Sequence, residues 1–294
     1  MLSGILPPLV TPFRDDGALD LAAFEANLEA YSAQDLGGYL VLGSNGEAGV
    51  LEEQEKLALI AAARRGAGRR LLLAGTGLEG TAATIALTRK AADQGADAAL
   101  VLTPCYYKAQ MRAEVLQRHF EAVAEASPIP VLLYSVPVFT GLPLPPELPI
   151  ALAAHPRIVG MKESSGDIGL MGRVLGSVPP SFAVACGSAP VLFAALGLGA
   201  SAGILAVACC APRPVAALFR AFRGGDRETA LRLQRAITPL ATAVTATYGV
   251  PGLKLAIDLA GLRGGRPRLP LLPPPPSARE DLTRLLAQAE SAVS

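Results

Sequence analysis

Histidine is scarce in this chain of 294 residues, which contains only His119 and His155. Each lies in a helix-like stretch with no cluster of carboxylates beside it. Metal centres are built mainly from histidine, cysteine and carboxylate side chains at short spacings. We therefore expect no metal site.

Cysteine and long apolar runs are also limited. The four cysteines (Cys105, Cys186, Cys209 and Cys210) form no CxxC pair, which is typical of reduced, mostly buried thiols in a cytoplasmic protein. We expect no signal or transit peptide, because strand-like sequence begins within a few residues of Met1. The stretch closest to a membrane span, LFAALGLGASAGILAVACCA, contains glycines that suit a buried core better.

An excess of charge of one sign is lacking as well. The formal net charge is +1, so no strong field would attract nucleic acid or an anionic membrane. Hydrophobic residues make up 51% of the chain, which is ample for a large core. We expect neither nucleic acid nor a membrane as a partner.

Short apolar runs alternate with amphipathic segments along most of the chain. Continuous apolar runs are typical of strands buried on both faces of a parallel sheet. Eight such strands alternating with helices predict an α/β fold, a (β/α)8 TIM barrel. The predicted strands are Gly4–Leu9, Tyr39–Leu42, Arg70–Ala74, Ala98–Leu102, Pro130–Tyr134, Ile158–Met161, Phe182–Cys186 and Gly203–Leu205.

The helical segments have apolar residues at helical spacing, and after the eighth strand the pattern is helical only. We therefore predict a barrel carrying the active site over residues 1–223 and a C-terminal helical region over 224–294. The predicted helices are Leu19–Ala33, Leu51–Arg65, Thr81–Gln94, Arg112–Ala126, Pro214–Arg223, Asp226–Thr247, Leu253–Leu259 and Ala278–Ala292.

The residues that follow the predicted strands bring hydroxyl groups, glycines and one lysine to one rim. Active sites of (β/α)8 barrels lie at the carboxyl ends of the strands. No paired carboxylates are expected there, which argues against glycosidase or metal-dependent chemistry. The rim residues are Thr11, Gly43–Glu47, Gly75–Gly77, Thr103–Tyr107, Tyr134–Ser135, Lys162 and Gly187–Ser188.

Lys162 ends the apolar run of the sixth predicted strand. A lysine at the mouth of an apolar barrel is desolvated, and desolvation favours the neutral amine, which attacks carbonyl groups. The structural alternative is an ion pair with Glu163 or Glu47. The hydroxyl-rich rim favours a Schiff-base role.

Three further motifs each allow a structural and a functional interpretation. GSNGEAG (Gly43–Gly49) is either an ordinary turn before a helix or a set of donors for a carboxylate. Tyr134 is either a core residue or a proton relay. GTGLEG (Gly75–Gly80) fits the dinucleotide pattern GxGxxG, but the next strand ends in Thr103-Pro104 instead of an acidic residue, which weakens that alternative.

Five motifs, in order and spacing, carry a resemblance to a known family over nearly the whole chain. GSNGE, TPCYY, LLYSVPVFTG, IVGMKESSGD and YGVPGLKLA resemble the dihydrodipicolinate synthase / N-acetylneuraminate lyase superfamily of (β/α)8 class I aldolases. The resemblance implies that Lys162 forms a Schiff base with pyruvate or another 2-keto acid, with no cofactor. It implies that Tyr134 relays protons and that Tyr106 reaches the neighbouring subunit's site in a homotetramer.

The resemblance also implies a substrate pocket. Ser44 and Asn45 would hold the substrate carboxylate, and Ser44 would take part in catalysis in place of the threonine usual in the synthases. The further residues expected to line the pocket are Ser164, Gly187, Phe139 and Ile204.

Two departures from the synthase pattern bear on the substrate. The synthases have an asparagine at the position of Ser135, and at the position of Phe139 an arginine that holds the carboxylate of aspartate semialdehyde. The motifs are instead similar to those of the 4-hydroxy-2-oxoglutarate aldolase branch. We therefore expect reversible cleavage of 4-hydroxy-2-oxoglutarate to pyruvate and glyoxylate. The alternatives are 4-hydroxy-tetrahydrodipicolinate synthase, another aldolase or dehydratase for 2-keto-3-deoxy acids, and a barrel that binds a keto acid without turnover.

Overall fold

Eight parallel strands form the centre of the protein, which a computed structural model describes over residues 2–293. Each strand pairs with its neighbours in the order β1-β8-β7-β6-β5-β4-β3-β2. The barrel closes between β1 and β2, where the Leu9 amide donates to the Leu40 carbonyl at 2.8 Å. This confirms the predicted (β/α)8 fold. The strands are β1 (Gly4–Leu6), β2 (Gly38–Val41), β3 (Leu71–Gly75), β4 (Ala98–Leu102), β5 (Val131–Ser135), β6 (Ile158–Glu163), β7 (Ala183–Cys186) and β8 (Ala202–Ile204).

Helices surround the barrel and continue beyond it. The predicted helices are present with ends shifted by a few residues, and four more, α5 to α8, are short or rich in apolar residues. The helices are α1 (Leu21–Ser32), α2 (Glu53–Ala67), α3 (Thr81–Asp93), α4 (Ala113–Ala126), α5 (Pro137–Thr140), α6 (Glu147–Leu152), α7 (Ile168–Leu175), α8 (Leu192–Leu198), α9 (Pro212–Arg223), α10 (Arg227–Thr242), α11 (Gly249–Leu259) and α12 (Ala278–Ser291).

The strand ends differ from the prediction in ways that matter for the site. The first strand stops at Leu6 because Pro7 and Pro8 have no backbone N–H to donate to a ladder. The sixth strand runs through Lys162 to Glu163, since its pairing with β5 continues that far. Lys162 is therefore a strand residue and not the first residue of a loop.

The barrel interior is filled by side chains that alternate along the strands. Leu40, Leu73, Leu100 and Leu132 belong to one buried cluster, and Tyr134 and Ile204 complete it towards the carboxyl ends of the strands. A larger apolar cluster lies between the sheet and the surrounding helices. Alternation of this kind places Tyr134, and not its neighbour Ser135, inside the barrel.

The C-terminal region consists of three helices that pack on one another. The single helix predicted over Asp226–Thr247 is α10 followed by one π-helical turn, Ala243–Thr247. The segment between α11 and α12 returns to the barrel, where Arg266 pairs with Phe13 in an antiparallel bridge. Within residues 2–293, none of the helices combines the length and the apolar character needed to cross a membrane.

Candidate active site

Lys162, Tyr134 and Ser44 come together at the carboxyl end of the barrel. The Lys162 Nζ donates to the Tyr134 hydroxyl at 3.3 Å and lies 4.3 Å from the centre of the tyrosine ring. The Ser44 Oγ lies 3.3 Å from the same hydroxyl. Three residues from separate strands and loops thus form a continuous chain of polar atoms, from an amine through a phenol to an alcohol.

The strand register explains how the lysine and the tyrosine meet. Tyr134 on β5 is the direct partner of Lys162 on β6, so both side chains leave the sheet on the same face. On the other side of Lys162 the partner is Ala185 of β7, whose small side chain leaves room for the lysine stem. Lys162 is 4% exposed, so its amine lies in a largely dry surrounding.

The ion pairs considered for Lys162 are wrong. Glu163 is the next residue along the strand, and its side chain therefore leaves on the opposite face of the sheet. Glu47 instead pairs with Lys254 of α11, at 2.5 Å between Oε1 and Nζ. Among residues 2–293, Lys162 takes part in no ion pair.

The turn that carries Ser44 and Asn45 is bounded by two strained residues. Ser44–Gly46 forms one 3-10 turn, closed by a bond from the Gly46 amide to the Gly43 carbonyl at 3.0 Å. Leu42 and Glu47 on either side have φ angles of 61° and 54°, which cost about 1 kcal/mol or more each for residues with a Cβ. Such strain persists only where the surrounding structure enforces it, and it is concentrated at functional sites.

Two of the three glycines of GTGLEG, Gly75 and Gly77, allow close packing of neighbouring strand ends. A Cβ at Gly75 would lie 2.1 Å from the Leu42 carbonyl oxygen, and a Cβ at Gly77 would lie 2.2 Å from the Leu102 nitrogen. Both glycines therefore let neighbouring backbones approach closely. This accounts for the pattern without a nucleotide and removes the main support for the dinucleotide alternative.

Glu79, in the same motif, holds the loop that follows β4. Its Oε2 accepts hydrogen bonds from the amides of Cys105 and Tyr106, at 2.9 and 2.8 Å. Partial burial raises the pKa of Glu79, but these bonds together outweigh it and hold the pKa below its usual value. The carboxylate thus sets the path of the chain into Tyr106.

Ser164 and Gly187 face one another beside Lys162. A Cβ at Gly187 would lie 1.9 Å from the Ser164 Oγ, so only glycine leaves space for that hydroxyl. The Ser164 Oγ is buried and has no hydrogen-bond partner among the described residues. Such an unpaired hydroxyl is costly to bury, which suits a group that meets a ligand.

Two titratable groups near the lysine, Glu163 and Cys186, are fully buried. Burial raises the pKa of the Glu163 carboxyl above its usual value. Burial also raises the pKa of the Cys186 thiol to about 12. All four cysteines are free, as expected from their spacing. Burial therefore disfavours the negatively charged form of Glu163 and of Cys186.

Not every predicted site residue reaches this cluster. Ile204 ends β8 inside the barrel, and Asn45 lies half-buried in the turn beside Ser44. Tyr106 and Phe139, in contrast, are 77% and 61% exposed on their loops. Within one chain they stand at the outer surface, so any role for them needs either a second subunit or a substrate that extends outward.

Several residues that shape the site were missed from the sequence, namely Glu79, Lys254 and Arg268. The Arg268 amide donates to the second oxygen of Glu47 at 2.8 Å, and its guanidinium binds both oxygens of Glu55. The sequence did contain a signal, because Glu47 and Lys254 are the single charged residues of the GSNGE and YGVPGLKLA motifs. Nothing local says that the two meet, since they lie far apart in the chain.

The chain is similar to known proteins over almost its whole length. Residues 1–289 match the Dihydrodipicolinate synthetase family. The chain is 35% identical over 289 residues to the 4-hydroxy-tetrahydrodipicolinate synthase of an Exiguobacterium species, covering 98% of each chain. It is 39% identical over 290 residues to the enzyme of the same name from Xanthomonas axonopodis pv. citri, covering 98% of this chain and 95% of the relative.

The likeness extends to solved structures. The crystal structure of the chloride-inhibited dihydrodipicolinate synthase from Acinetobacter baumannii, complexed with pyruvate, superposes with a TM-score of 0.92 at 31% identity and covers 99% of both chains. The family match, the sequence similarity to relatives over almost the full length and the shared barrel fold all support one assignment. The chain belongs to the dihydrodipicolinate synthetase family and is a pyruvate-dependent carbon–carbon lyase of the class I type.

Proposed function

We propose that the protein joins pyruvate to a small aldehyde, or releases pyruvate from the product, through a Schiff base on Lys162. The observation that carries this proposal is the buried amine of Lys162, which contacts the Tyr134 hydroxyl and has no counter-ion among the described residues. An amine kept dry attacks a keto carbon, and the iminium that results is an electron sink for carbanion chemistry.

In the proposed mechanism the amine of Lys162 attacks C2 of pyruvate to form a carbinolamine, which loses water to give an iminium. Tyr134 accepts a proton from C3, which turns the iminium into an enamine. The enamine carbon then attacks the aldehyde, and Tyr134, linked to Ser44, delivers a proton to the aldehyde oxygen as it becomes a hydroxyl. Hydrolysis of the new iminium releases the product and restores the lysine. The cleavage direction runs through the same steps in reverse.

We assign the remaining predicted residues to binding. The hydroxyl, amide and backbone N–H groups of Ser44 and Asn45 suit the pyruvate carboxylate, and Ser164, Gly187 and Ile204 line the space beside the lysine. Tyr106 would extend the Tyr134–Ser44 chain from a neighbouring subunit of a homotetramer, consistent with its exposure in a single chain.

The relatives and one substitution point to different aldehydes. The relatives reported above carry the name 4-hydroxy-tetrahydrodipicolinate synthase, so they favour that activity, with aspartate semialdehyde as partner, over the aldolase expected from the motifs. Cleavage of 4-hydroxy-2-oxoglutarate remains the second candidate because Phe139 stands where the synthases place a carboxylate-binding arginine. An exposed phenylalanine cannot bind a carboxylate.

The Schiff base is tested by reduction with borohydride in the presence of pyruvate, followed by peptide mass mapping. We expect a single adduct on Lys162 that is lost in Lys162→Ala. Lys108→Ala, which removes an exposed lysine after Tyr107, is the matched control and should trap normally. An adduct that survives Lys162→Ala would refute the proposal.

The aldehyde is tested on the same pyruvate-loaded enzyme, supplied with either aspartate semialdehyde or glyoxylate. Turnover of the semialdehyde with glyoxylate inert would establish the synthase. The reverse result would establish the aldolase and make Phe139 the position that excludes the semialdehyde.

A further inference from the structure

Two of the recognised motifs contribute a charged residue that the proposed reaction does not use. Glu47 ends the GSNGE motif, directly after the turn that carries Ser44 and Asn45. Lys254 ends the YGVPGLK motif on α11, in the C-terminal region. Their side chains are 2% and 1% exposed and form an ion pair at 2.5 Å between Oε1 of Glu47 and Nζ of Lys254.

Each side chain of this Glu47–Lys254 pair has one further polar partner, so neither charge can be moved without cost. The Lys254 Nζ also donates to the Arg266 carbonyl at 2.7 Å and lies 4.5 Å from the centre of the Phe13 ring. The second oxygen of Glu47 accepts from the Arg268 amide at 2.8 Å. The carboxylate is thus held from two directions, and both come from the segment that follows the barrel.

The backbone of Glu47 links the Glu47–Lys254 pair to the turn that carries Ser44 and Asn45. Its φ angle of 54° is in the left-handed region that residues with a Cβ avoid, so something outside the turn must hold it there. Its amide donates to the Ser44 carbonyl at 3.1 Å and so closes the turn. The Ser44 Oγ is 3.3 Å from the Tyr134 hydroxyl, near the limit of a hydrogen bond, and a small shift of the turn would break that contact.

A second ion pair joins the same segment to the barrel, and its arginine reaches Glu47 only through the backbone amide. Arg268 binds both carboxylate oxygens of Glu55 on α2 at 2.7 Å, with the two side chains 19% and 22% exposed. This pair ties down the C-terminal segment as the Glu47–Lys254 pair does. It differs in being partly solvated, and Glu55 makes no hydrogen bond to Glu47 or Ser44 among the described residues, which makes it the natural control.

We propose that Glu47 and Lys254 are positioning residues of the proposed lyase, through which the C-terminal helical region holds Ser44 and Asn45 in the geometry that meets Tyr134 and the keto-acid carboxylate. The inference rests on the proposed function. It makes the C-terminal region part of the catalytic architecture, because Lys254 and the Arg268 amide determine the conformation of a residue adjacent to the site.

The experiment compares Glu47→Gln with Glu55→Gln. In Glu47→Gln we expect kcat/KM for pyruvate to fall by about tenfold to a hundredfold, because Ser44 no longer meets Tyr134. Glu55→Gln should stay within about threefold of the wild type. In parallel, hydrogen exchange of a peptide covering residues 43–51 should be faster in Glu47→Gln and unchanged in Glu55→Gln. Equal kinetic losses in both variants, or wild-type kinetics in folded Glu47→Gln, would overturn the inference.

Two further variants separate positioning from stability. Glu47→Asp keeps the charge but shortens the side chain, and Glu47→Gln/Lys254→Met removes both charges together, which is tolerated better than removing one. We expect the double variant to recover the melting temperature without recovering kcat/KM. Recovery of both, or failure of all three Glu47 variants to fold, would overturn the inference because the pair would then serve folding alone. A wild-type protein inactive on pyruvate would refute the proposed function, whereas the exchange measurement would still report on the turn.

Discussion

At the scale of single residues, the site is built around one buried amine that has no ion-pair partner among the described residues. Lys162 meets the hydroxyl of Tyr134, while the carboxyl group nearest to it in sequence, Glu163, leaves on the other face of the strand. One Glu163 oxygen accepts from the Ser165 amide at 2.8 Å, and the other has no partner among the described residues. Burial in that position raises the pKa of the carboxyl group.

Glu163 should therefore make the stability of the protein depend on pH. Because its pKa is raised by burial, the folded protein binds more protons than the unfolded chain between the usual carboxyl pKa and the raised one. Stability from this group is present at low pH and is lost as the pH rises through the folded-state pKa. Glu163→Gln cannot ionise, so we expect its melting temperature to exceed that of the wild type by a margin that grows with pH and then levels off.

Thermal unfolding of both proteins from acid to neutral pH checks this. Glu55→Gln is a suitable comparison, because the pKa of Glu55 is lowered by its bond to Arg268 and the sign of the pH effect is opposite. A constant difference between Glu163→Gln and the wild type would contradict the expectation.

At the scale of elements, close contacts between neighbouring strands shape the rim. Gly75 at the end of β3 leaves room for the carbonyl of the strained Leu42, which leads into the Ser44 turn. Gly77 similarly accepts the backbone of Leu102 at the end of β4. The loop conformations at the site thus depend on how near two strand ends can come, and that distance is set by the absence of a side chain.

Gly77→Ala should destabilise the barrel, whereas Gly80→Ala should not. A Cβ at Gly77 would meet backbone atoms of Leu102 at 2.2 and 2.9 Å, and backbone cannot move aside as a flexible side chain does. Overpacking of this kind costs about 1–3 kcal/mol or more. At Gly80, in the same motif, the nearest atom would be 3.9 Å away, on Ala83. Denaturant unfolding of the two variants measures the difference, and equal stabilities would contradict this account of the motif.

At the scale of the whole molecule, one chain leaves a group of aromatic side chains at its surface. Tyr106 and Tyr107 pack edge to face with ring centres 5.0 Å apart, and both are largely exposed. Exposed aromatic side chains of this size are typical of surfaces that meet another protein. Glu79 orders the loop that carries them, which favours contact with a rigid partner such as a second copy.

Mixing two inactive variants tests whether Tyr106 serves a neighbouring site. Lys162→Ala and Tyr106→Phe should each lose most activity alone. After joint refolding, about half of the dimers would combine the two chains and contain one complete site each, so about a quarter of wild-type activity should return. Mixing Tyr106→Phe with the double variant Lys162→Ala/Tyr106→Phe is the control and should restore nothing. Absence of recovery in the first mixture would contradict the assignment of Tyr106.

The sequence by itself determined the order of the elements and the residue types at the rim. Continuous apolar runs separated by amphipathic segments are a local pattern that predicts parallel strands and helices. The carboxyl ends of the strands in such a barrel lie on one rim, so the sequence alone places Lys162 and Tyr134 there. The strand ends were less accessible, because pairing between β5 and β6 extends both past the apolar run, up to Ser135 and Glu163.

Only the tertiary structure decided which charged groups pair. From the sequence, Lys162 could form an ion pair with either Glu163 or Glu47. In the structure, strand alternation places the Glu163 side chain on the other face of the sheet, and Glu47 pairs with Lys254 instead. The choice depends on contacts between residues distant in the chain and on which side chains are withdrawn from water together. For Glu47 neither quantity is contained in local spacing, and both follow from how α11 packs on the barrel.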